Sequence, residues 1–325
     1  MYWFMHCVSS RRLSRPDRNH FPTRITSRRV SYRRVPRFKL TIEYAGTRYS
    51  GWQKQKNART VQGEIDRAVR AVTNRDDFEL YGSGRTDAGV HALAQVAHLD
   101  VSTSLPADTL RARLNEELPA DINILAAAIV PHRFHARHDA VARRYLYQIA
   151  RRRTAFAKPY VWWVKEPLDH DRMREGARAL EGFRDFESFA AKDASDAATS
   201  DPRSTLVLVE RLELIDAGDL LLVSIEGSHF LWKMVRRIIG VLVAIGRGEL
   251  EVAAIDTLLK ASSDLPARLT APASGLLLER VFYEGDAREE RVHAATPLAH
   301  FSVPPGRPGS TGSTRTPRAR RTTSA

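Results

Sequence analysis

The feature that most constrains the fold of this chain is a series of strand-like and helix-like segments that occurs twice. The first series begins at Phe38, where apolar and polar residues alternate in FKLTIEY as they do in a strand with one buried face. A segment with helical spacing follows, TVQGEIDRAVRAV, for which Thr60 is a suitable N-cap. A similar series begins at Arg144 with YLYQIA and continues through the helical pattern DHDRMREGARALEG. We therefore expect an α+β fold of two related halves, with a mainly antiparallel sheet flanked by helices and a central cleft.

Further segments extend both series. The patterns FELYGSG and HALAQVAHLDV predict strands around a loop, and LRARLNEELP predicts a helix that stops at Pro119. We also expect strands in TLVLVERLEL, LLLVSIEG and LLLERVFY, and a helix in WKMVRRIIGVLVAIGRG. These patterns divide the chain into a basic arm (1–37), an N-terminal half (38–140), a C-terminal half (141–285) and a basic tail (286–325). The arm and the tail are expected to be disordered, and the polar stretch 190–204 to be a mobile loop.

Positive charge is concentrated at the two ends of the chain. Ten arginines and a single acid, Asp17, fall in residues 1–37, and five arginines and no acid fall in residues 301–325. The formal net charge of +13 therefore belongs to the ends, and residues 38–300 are close to neutral. Any polyanion site within the two halves must come from local clustering of cations.

Membrane and disulfide signals are weak. The longest apolar run, IIGVLVAIG, has nine residues, about half of the ~18 that a membrane-spanning helix needs, so we expect a soluble protein. The single cysteine, Cys7, excludes disulfides within the chain and metal sites built from paired cysteines. A cytoplasmic location is expected, with an organelle as the alternative because the arginine- and serine-rich arm also matches a transit peptide.

The densest cluster of unusual residues is YGSGRTDAGVHA, from Tyr81 to Ala92. Its glycines allow positive φ angles and close approach of a ligand, so the loop can hold the Asp87 carboxylate at a cleft wall as a nucleophile or a base. The residues alone fit equally well with Asp87 as a turn residue that accepts backbone hydrogen bonds. Gly82 and Gly84 do not indicate a dinucleotide site, because the third glycine of that motif is missing and a strand follows.

The segment GRTDAGVHA is similar to the signature of the TruA family of tRNA pseudouridine synthases. Other segments resemble the same family, in the same order: YAGTRYSGWQKQ, TVQGEID, FHAR with ARRYLYQI, FLWKMVRRIIGVL and TAPASGLLLERVFY. The resemblance covers residues 38–283. It departs from the family at YAG, where YDG is usual, and is only approximate at ASGLLLERV, which leaves the substrate range open.

The resemblance implies the pseudouridine synthase fold and an isomerase that converts uridine to pseudouridine in the anticodon stem-loop of tRNA, at nucleotides 38, 39 and 40. It also implies a homodimer that uses neither a metal nor an organic cofactor. The reaction itself needs no redox group and no water. It needs a carboxylate, a way to hold the detached base and a pocket that excludes solvent.

The resemblance assigns roles to four residues. Asp87 corresponds to the family's catalytic aspartate, and Arg236 to the arginine paired with it, which favours the ionised nucleophile. Arg85 corresponds to the arginine thought to fill the space left by the flipped nucleotide, a task suited to a flat guanidinium. Tyr145 corresponds to the tyrosine that stacks on the target base and is implicated in removing the C5 proton. Without the family, Tyr145 equally fits a packed strand residue, and a solvated helix charge is favoured for Arg236.

RNA contacts are expected where cations cluster in the cleft. The predicted substrate-binding residues are Arg85, Arg143, Arg144, Tyr145, Lys233 and Arg237, together with Arg236 and, nearby, Lys54. Cations that line the cleft neutralise phosphates, whereas the same residues elsewhere are ordinary surface charge.

Two other functions remain open. A noncatalytic tRNA-binding or tRNA-folding protein needs the basic cleft but not the carboxylate. A nucleoside hydrolase needs a second carboxylate to work with Asp87 and water, and no acidic partner accompanies it in its loop.

The histidines of the chain do not predict a metal site. His132, His135 and His138 are spaced three apart in HRFHARH, but no carboxylates complete a zinc site. His91 is expected to support the loop that carries Asp87.

Overall fold

This computed structural model describes residues 35–191, 204–288, 291–296 and 298. All of them belong to one compact unit that begins at Val35. The strands are β1 (Arg37–Tyr44), β2 (Glu79–Gly82), β3 (His91–Asp100), β4 (Ile122–Val130), β5 (Ala140–Ala150), β6 (Trp162–Trp163), β7 (Gly182–Asp185), β8 (Leu206–Ala217), β9 (Leu220–Gly227) and β10 (Leu276–Tyr283). The helices are α1 (Val61–Thr73), α2 (Ala107–Glu117), α3 (His170–Leu180), α4 (Met234–Gly246), α5 (Ala254–Lys260) and α6 (Leu265–Arg268). Most of the predicted arm, tail and mobile loop lies outside the described residues.

One mixed sheet runs through the described chain. Its main strands follow the order β4-β1-β3-β10-β5-β9-β8-β7, with β2 beside β3 and β6 beside β5. Neighbouring strands are antiparallel except for the pairs β10–β3 and β5–β6. The predicted fold class is confirmed: an α+β fold with a mainly antiparallel sheet flanked by helices.

Strand β10 brings two distant parts of the chain together. It is the last strand in sequence, but it lies between β3 and β5, where Leu278 is opposite both Ala92 and Tyr145. Because Ala92 follows the loop that carries Asp87, this pairing places Tyr145 on β5 only two strands away from that loop.

Helices α1 and α2 cover one face of the N-terminal strands. Alternate residues of β1 are buried, as the period of two predicts. Thr60 caps α1, because its side chain accepts a hydrogen bond from the Gly63 amide, and this also confirms the sequence prediction. The core of this half includes Phe38, Leu40, Ile42, Ile65, Val69, Leu110 and Leu114.

Helix α4 is the central element of the C-terminal half. It is apolar on almost every side, and all of its residues except Arg236 and Arg237 are buried. At Gly240 an added Cβ would lie 1.7 Å from the carbonyl oxygen of Leu269, so only glycine allows this close packing. The long apolar run of the sequence is therefore a core helix. Within the described ranges, no helix is long and apolar enough to cross a membrane.

Ordered structure extends beyond residue 285, after which a disordered tail was predicted. Val292, Ala294, Ala295 and Leu298 pack against Leu146 of β5 and its neighbours, on the sheet face opposite the helices. The Gln148 side chain accepts a hydrogen bond from the amide of Ala295 at 2.8 Å. The face of β5 that carries Leu146 and Ala150 is buried, and the described residues after 290 cover part of it.

Candidate active site

The loop between β2 and β3 carries Asp87 and is held by buried side chains. The Tyr44 hydroxyl lies 2.8 Å from Thr86 Oγ1. Gln95 Oε1 accepts a hydrogen bond from Ser83 Oγ at 2.6 Å, and Gln95 Nε2 donates to the Gly84 carbonyl at 3.1 Å. Because Tyr44, Ser83, Thr86 and Gln95 are all buried, the loop conformation is fixed before any ligand binds.

Two glycines are required by the loop, one for its backbone conformation and one for space. Gly89 has φ +78°, in the left-handed region that favours glycine. At Gly82 an added Cβ would lie 2.7 Å from the indole of Trp52, so a side chain there would push the start of the loop away from this buried ring. Glycine at both positions therefore sets the path of the backbone toward Asp87.

The Asp87 carboxylate bridges the two halves of the sheet. Arg236 Nη1, on α4, donates to Oδ2 at 3.1 Å, and Trp232 Nε1 donates to Oδ1 at 2.9 Å. Arg236 is itself oriented by its Nε, which donates to the Ala271 carbonyl at 2.8 Å. The side chains of Asp87 and Arg236 are 18% and 17% exposed, so the pair is shielded from bulk water but still open to a ligand. With both oxygens held by groups from the other half, Asp87 fits a reactive carboxylate better than a turn residue.

The segment before α4 presents Trp232 to this carboxylate. The sequence pattern predicts a helix from Trp232 onward, but α4 begins at Met234. Lys233 has φ +61°, a left-handed conformation that side-chain-bearing residues rarely adopt, and its ammonium lies 4.7 Å from the centroid of the Trp232 ring. Backbone strain of this kind is concentrated at functional sites.

Tyr145 faces the same space from β5. Its ring packs edge-on against Phe230, with the two centroids 5.2 Å apart. Burial raises the pKa of Tyr145 to about 12, an effect that Arg143 opposes and Asp87 reinforces. The phenol is therefore neutral near pH 7, which favours stacking over a role as a resting base. Tyr147, by contrast, is fully buried and is the packed strand tyrosine of this pair.

These groups surround a cavity of about 1390 Å³ that is lined by both halves. It is larger than the roughly 300–1,000 Å³ of most small-molecule pockets, and thus has room for a nucleotide and part of its neighbours. Glu187 is a second carboxylate in the lining, which the sequence could not place near Asp87 because it belongs to the other half. The polar and charged lining residues are Ser50, Gln53, Gln55, Ser83, Arg85, Thr86, Asp87, Arg137, Arg143, Tyr145, Glu187, Ser204, Thr205, His229, Lys233 and Arg236.

Besides Arg236, three predicted cations lie in this lining: Arg85, Arg143 and Lys233. Arg85 is exposed and has no hydrogen bond or ion pair with a described residue, so its guanidinium is available to a ligand. Arg143 instead donates to the carbonyls of Ser83 at 3.2 Å and Ser228 at 2.8 Å. It therefore ties the Asp87 loop to the segment after β9, and burial lowers its pKa.

Arg144 does not reach the cavity, and its predicted RNA contact is corrected. Its side chain is 2% exposed and pairs with Glu226 at 2.7 Å inside the sheet structure. Successive strand residues point to opposite faces, so Arg143 and Arg144 cannot both face the cleft. Residue type and proximity in sequence could not decide which of the two would do so.

Arg237 and Lys54 also lie outside the lining. Arg237 Nη1 donates to the Ala190 carbonyl at 2.5 Å, and burial lowers the pKa of its guanidinium. Lys54 pairs with Asp66 at 2.8 Å on α1. The structure therefore gives both cations a protein partner and does not bring either of them to Asp87.

His91 is buried beside the loop and makes two contacts through its ring nitrogens. Its Nδ1 accepts a hydrogen bond from the Gly46 amide at 3.0 Å, and its Nε2 lies 3.0 Å from the Pro159 carbonyl. Burial lowers the pKa of His91, so the ring is neutral. Because Nδ1 accepts a hydrogen bond, the proton is on Nε2, which donates to the Pro159 carbonyl. This single side chain links the end of the Asp87 loop to both halves.

The remaining histidines form ring contacts. The centroid of His135 lies 4.2 Å from that of His138 and 4.7 Å from that of buried His98. Among the residues that the structure describes, no group of three or more His, Cys, Asp or Glu side chains is placed to hold a metal ion. His132 is exposed at the start of this segment.

His98 predicts a pH dependence of stability. Burial, with help from Arg37 and His135, lowers the pKa of His98 to about 4, below its ordinary value near 6.5. The unfolded chain therefore takes up this proton first, and the stability contributed by neutral His98 is lost as the pH falls from about 6.5 toward 4. We expect His98→Gln to reduce the fall in unfolding free energy between pH 7 and pH 4.5 by roughly 1–2 kcal/mol, measured by urea denaturation.

The control for this prediction is His138→Gln, which removes an exposed ring from the same cluster. It should keep the wild-type dependence on pH. Parallel curves for wild type and His98→Gln would show that this histidine does not carry the effect.

Comparison with known proteins identifies the family. A family model described as tRNA pseudouridine synthase matches residues 40–139 and 177–284. Two relatives named tRNA pseudouridine synthase A are each 42% identical and cover 77% of this chain: one from Nitrobacter winogradskyi over 97% of its own length, and one from Rhodopseudomonas palustris over 100%. The chain belongs to the tRNA pseudouridine synthase family, and it is an enzyme of the isomerase class.

A more distant likeness is found among solved structures. The crystal structure of a Cbf5-Nop10-Gar1 complex aligns with 63% of this chain and 45% of the matched chain, at 10% identity and a TM-score of 0.29. A likeness at that level adds nothing to the sequence relatives.

Proposed function

We propose that this protein isomerises uridine to pseudouridine in the anticodon stem-loop of tRNA, at nucleotides 38, 39 and 40, with Asp87 as nucleophile and without a cofactor. The observation that carries the proposal is the Asp87 carboxylate, which is hydrogen-bonded to Arg236 and Trp232 at the wall of a cavity lined by both halves. Family membership supports the reaction and the tRNA substrate.

The chemistry uses only groups that the cavity contains. A carboxylate oxygen of Asp87 attacks the ribose or the base. In attack at C1′, a C–O bond forms as the C1′–N1 bond breaks, and the uracil leaves with the electron pair on N1. The base then turns, its C5 attacks C1′, and the carboxylate departs with the C–O electron pair. The C5 proton is then lost to solvent and N1 takes up a proton, so substrate and product have the same composition.

The other lining residues have roles in binding under this proposal. Arg85, exposed beside Asp87, fills the gap that the flipped uridine leaves in the RNA. Tyr145, as a neutral phenol, stacks on the flipped base. Lys233 neutralises phosphate, and Arg143 fixes the loop that carries the nucleophile.

Mapping the product tests the proposed positions. Unmodified tRNA transcripts are incubated with the enzyme, treated with a carbodiimide that marks pseudouridine, and read by primer extension. We expect carbodiimide-dependent stops that correspond to nucleotides 38–40. Stops that appear without carbodiimide would indicate abasic sites and a hydrolase that uses Glu187, and an unchanged pattern would indicate a noncatalytic binding protein.

The basic arm predicts a salt-dependent effect on binding. Deleting residues 1–34 removes nine arginines but keeps Arg37, whose guanidinium pairs with Asp100 in the folded part. We expect a weaker dependence of tRNA affinity on salt and an unchanged turnover at saturating tRNA, because arm cations act on phosphates and not on the reacting bond. Filter binding at several KCl concentrations measures the slope, and a loss of turnover would contradict this accessory role.

The family resemblance further suggests the assembly and location of the protein. We propose that it acts as a homodimer in the cytoplasm. Sedimentation at micromolar concentration tests the first part, because a monomer that retains full activity would exclude an obligatory dimer.

A further inference from the structure

The indole of Trp232 is the one neutral donor, among the described residues, that holds the Asp87 carboxylate. Its Nε1 lies 2.9 Å from Oδ1, whereas the charged Arg236 holds Oδ2. Trp232 is 45% exposed and lines the cavity, an unusual position for the largest apolar side chain unless its surface has a use.

The backbone is shaped to put this indole in place. Lys233 adopts φ +61°, and its ammonium lies over the Trp232 ring. The carbonyl of Trp232 also accepts a hydrogen bond from the Ala191 amide at 2.9 Å, which ties it to the segment after α3 and β7. A strained residue and two contacts therefore fix the direction of the Nε1–H bond.

We propose that Trp232 is a positioning residue that fixes the rotation of the Asp87 carboxylate for attack. This inference rests on the proposed function of Asp87 as nucleophile. A neutral N–H donor suits an oxygen whose charge changes during the reaction. If Oδ2 forms the bond to the substrate, its attraction to Arg236 weakens, while Oδ1 becomes a carbonyl oxygen that still accepts the indole hydrogen bond. The hydrogen bond from Trp232 Nε1 to Oδ1 is thus kept both in the free carboxylate and in the ester.

Two substitutions separate the donor from the ring. Trp232→Phe keeps an aromatic ring and removes the N–H. Trp232→His removes the benzo ring but keeps an N–H at the ring position that matches Nε1. We expect Trp232→Phe to lower kcat about tenfold or more with KM within about twofold of wild type. Trp232→His should recover most of kcat, with a higher KM because the indole surface in the cavity is lost.

Trp163→Phe is the matched control. Trp163 is 43% exposed, close to the exposure of Trp232, but it lies on β6 outside the cavity lining. It should have wild-type kcat and KM. An unchanged kcat in Trp232→Phe, or equal losses in Trp232→Phe and Trp232→His, would overturn the positioning role. Absence of activity in the wild type would instead reject the proposed function.

A spectroscopic measurement tests the same contact without turnover. The chain has five tryptophans, so a protein labelled with ¹⁵N-tryptophan gives five indole N–H signals, and Trp232→Phe identifies the one from Trp232. We expect Asp87→Ala to shift that signal upfield in the proton dimension, because a charge-assisted hydrogen bond is lost. A signal that does not move on Asp87→Ala would show that the indole does not bind the carboxylate.

Discussion

Replacing Asp87 by asparagine should abolish turnover while leaving the fold and tRNA affinity intact. The amide has the same shape, so Trp232 can still donate to its oxygen, but it is neither a competent nucleophile nor a leaving group. We expect kcat to fall by at least about a thousandfold. The measurement is the single-turnover release of tritium from C5 of uridine at saturating tRNA, with affinity measured separately by filter binding.

Asp76→Asn provides the control for charge. Asp76 is an exposed carboxylate that pairs with Arg70 away from the cavity, so its loss should change neither rate nor affinity appreciably. Asp87→Asn with more than about a tenth of wild-type kcat would contradict a nucleophilic role, because an amide cannot replace a carboxylate in covalent catalysis.

Replacing Arg236 by lysine should give the second largest effect. The guanidinium holds the Ala271 carbonyl and Asp87 Oδ2 at the same time, 2.8 and 3.1 Å from its nitrogens. A lysine keeps the charge but lacks the planar fork that satisfies both acceptors. We expect kcat to fall about a hundredfold, as for loss of one preorganised donor, with little change in tRNA affinity.

Arg237→Lys is the matched control on the same helix. Arg237 donates to the Ala190 carbonyl and does not touch Asp87, so its replacement should change the melting temperature more than the rate. Equal effects of the two substitutions on kcat would show that Arg236 acts through the helix and not through the carboxylate.

Most of the fold could be predicted because its elements have one buried face or a clear cap. The alternation in β1 and the Thr60 cap of α1 are local features, and both are confirmed. Strand β4 escaped prediction because three consecutive alanines in INILAAAIV obscure the alternation, and because β1 is its one partner among the described strands. The cover of β5 by residues after 290 depends on a tertiary contact that the local pattern does not contain.

The candidate site could be predicted where its residues are contiguous. The nine residues GRTDAGVHA contain Asp87 and Arg85, and the resemblance adds Arg236 and Tyr145 as candidates. Trp232 was missed because it lies 145 positions from Asp87 and because its segment has the spacing of a helix, which hides the left-handed turn at Lys233. Arg144 was wrongly assigned because a strand sends adjacent residues to opposite faces, and sequence alone does not say which residue faces the cleft.

A balance of products in one reaction tests the isomerisation by Asp87 most directly. Unmodified tRNA carrying tritium at uridine C5 is incubated with wild-type enzyme and with Asp87→Asn, and three quantities are measured in each sample: tritium released, free uracil and pseudouridine. We expect wild type to form one pseudouridine per tritium released with no free uracil, and the variant to form none of the three. Uracil in excess of pseudouridine, or pseudouridine formed at the wild-type rate by Asp87→Asn, would contradict isomerisation by Asp87.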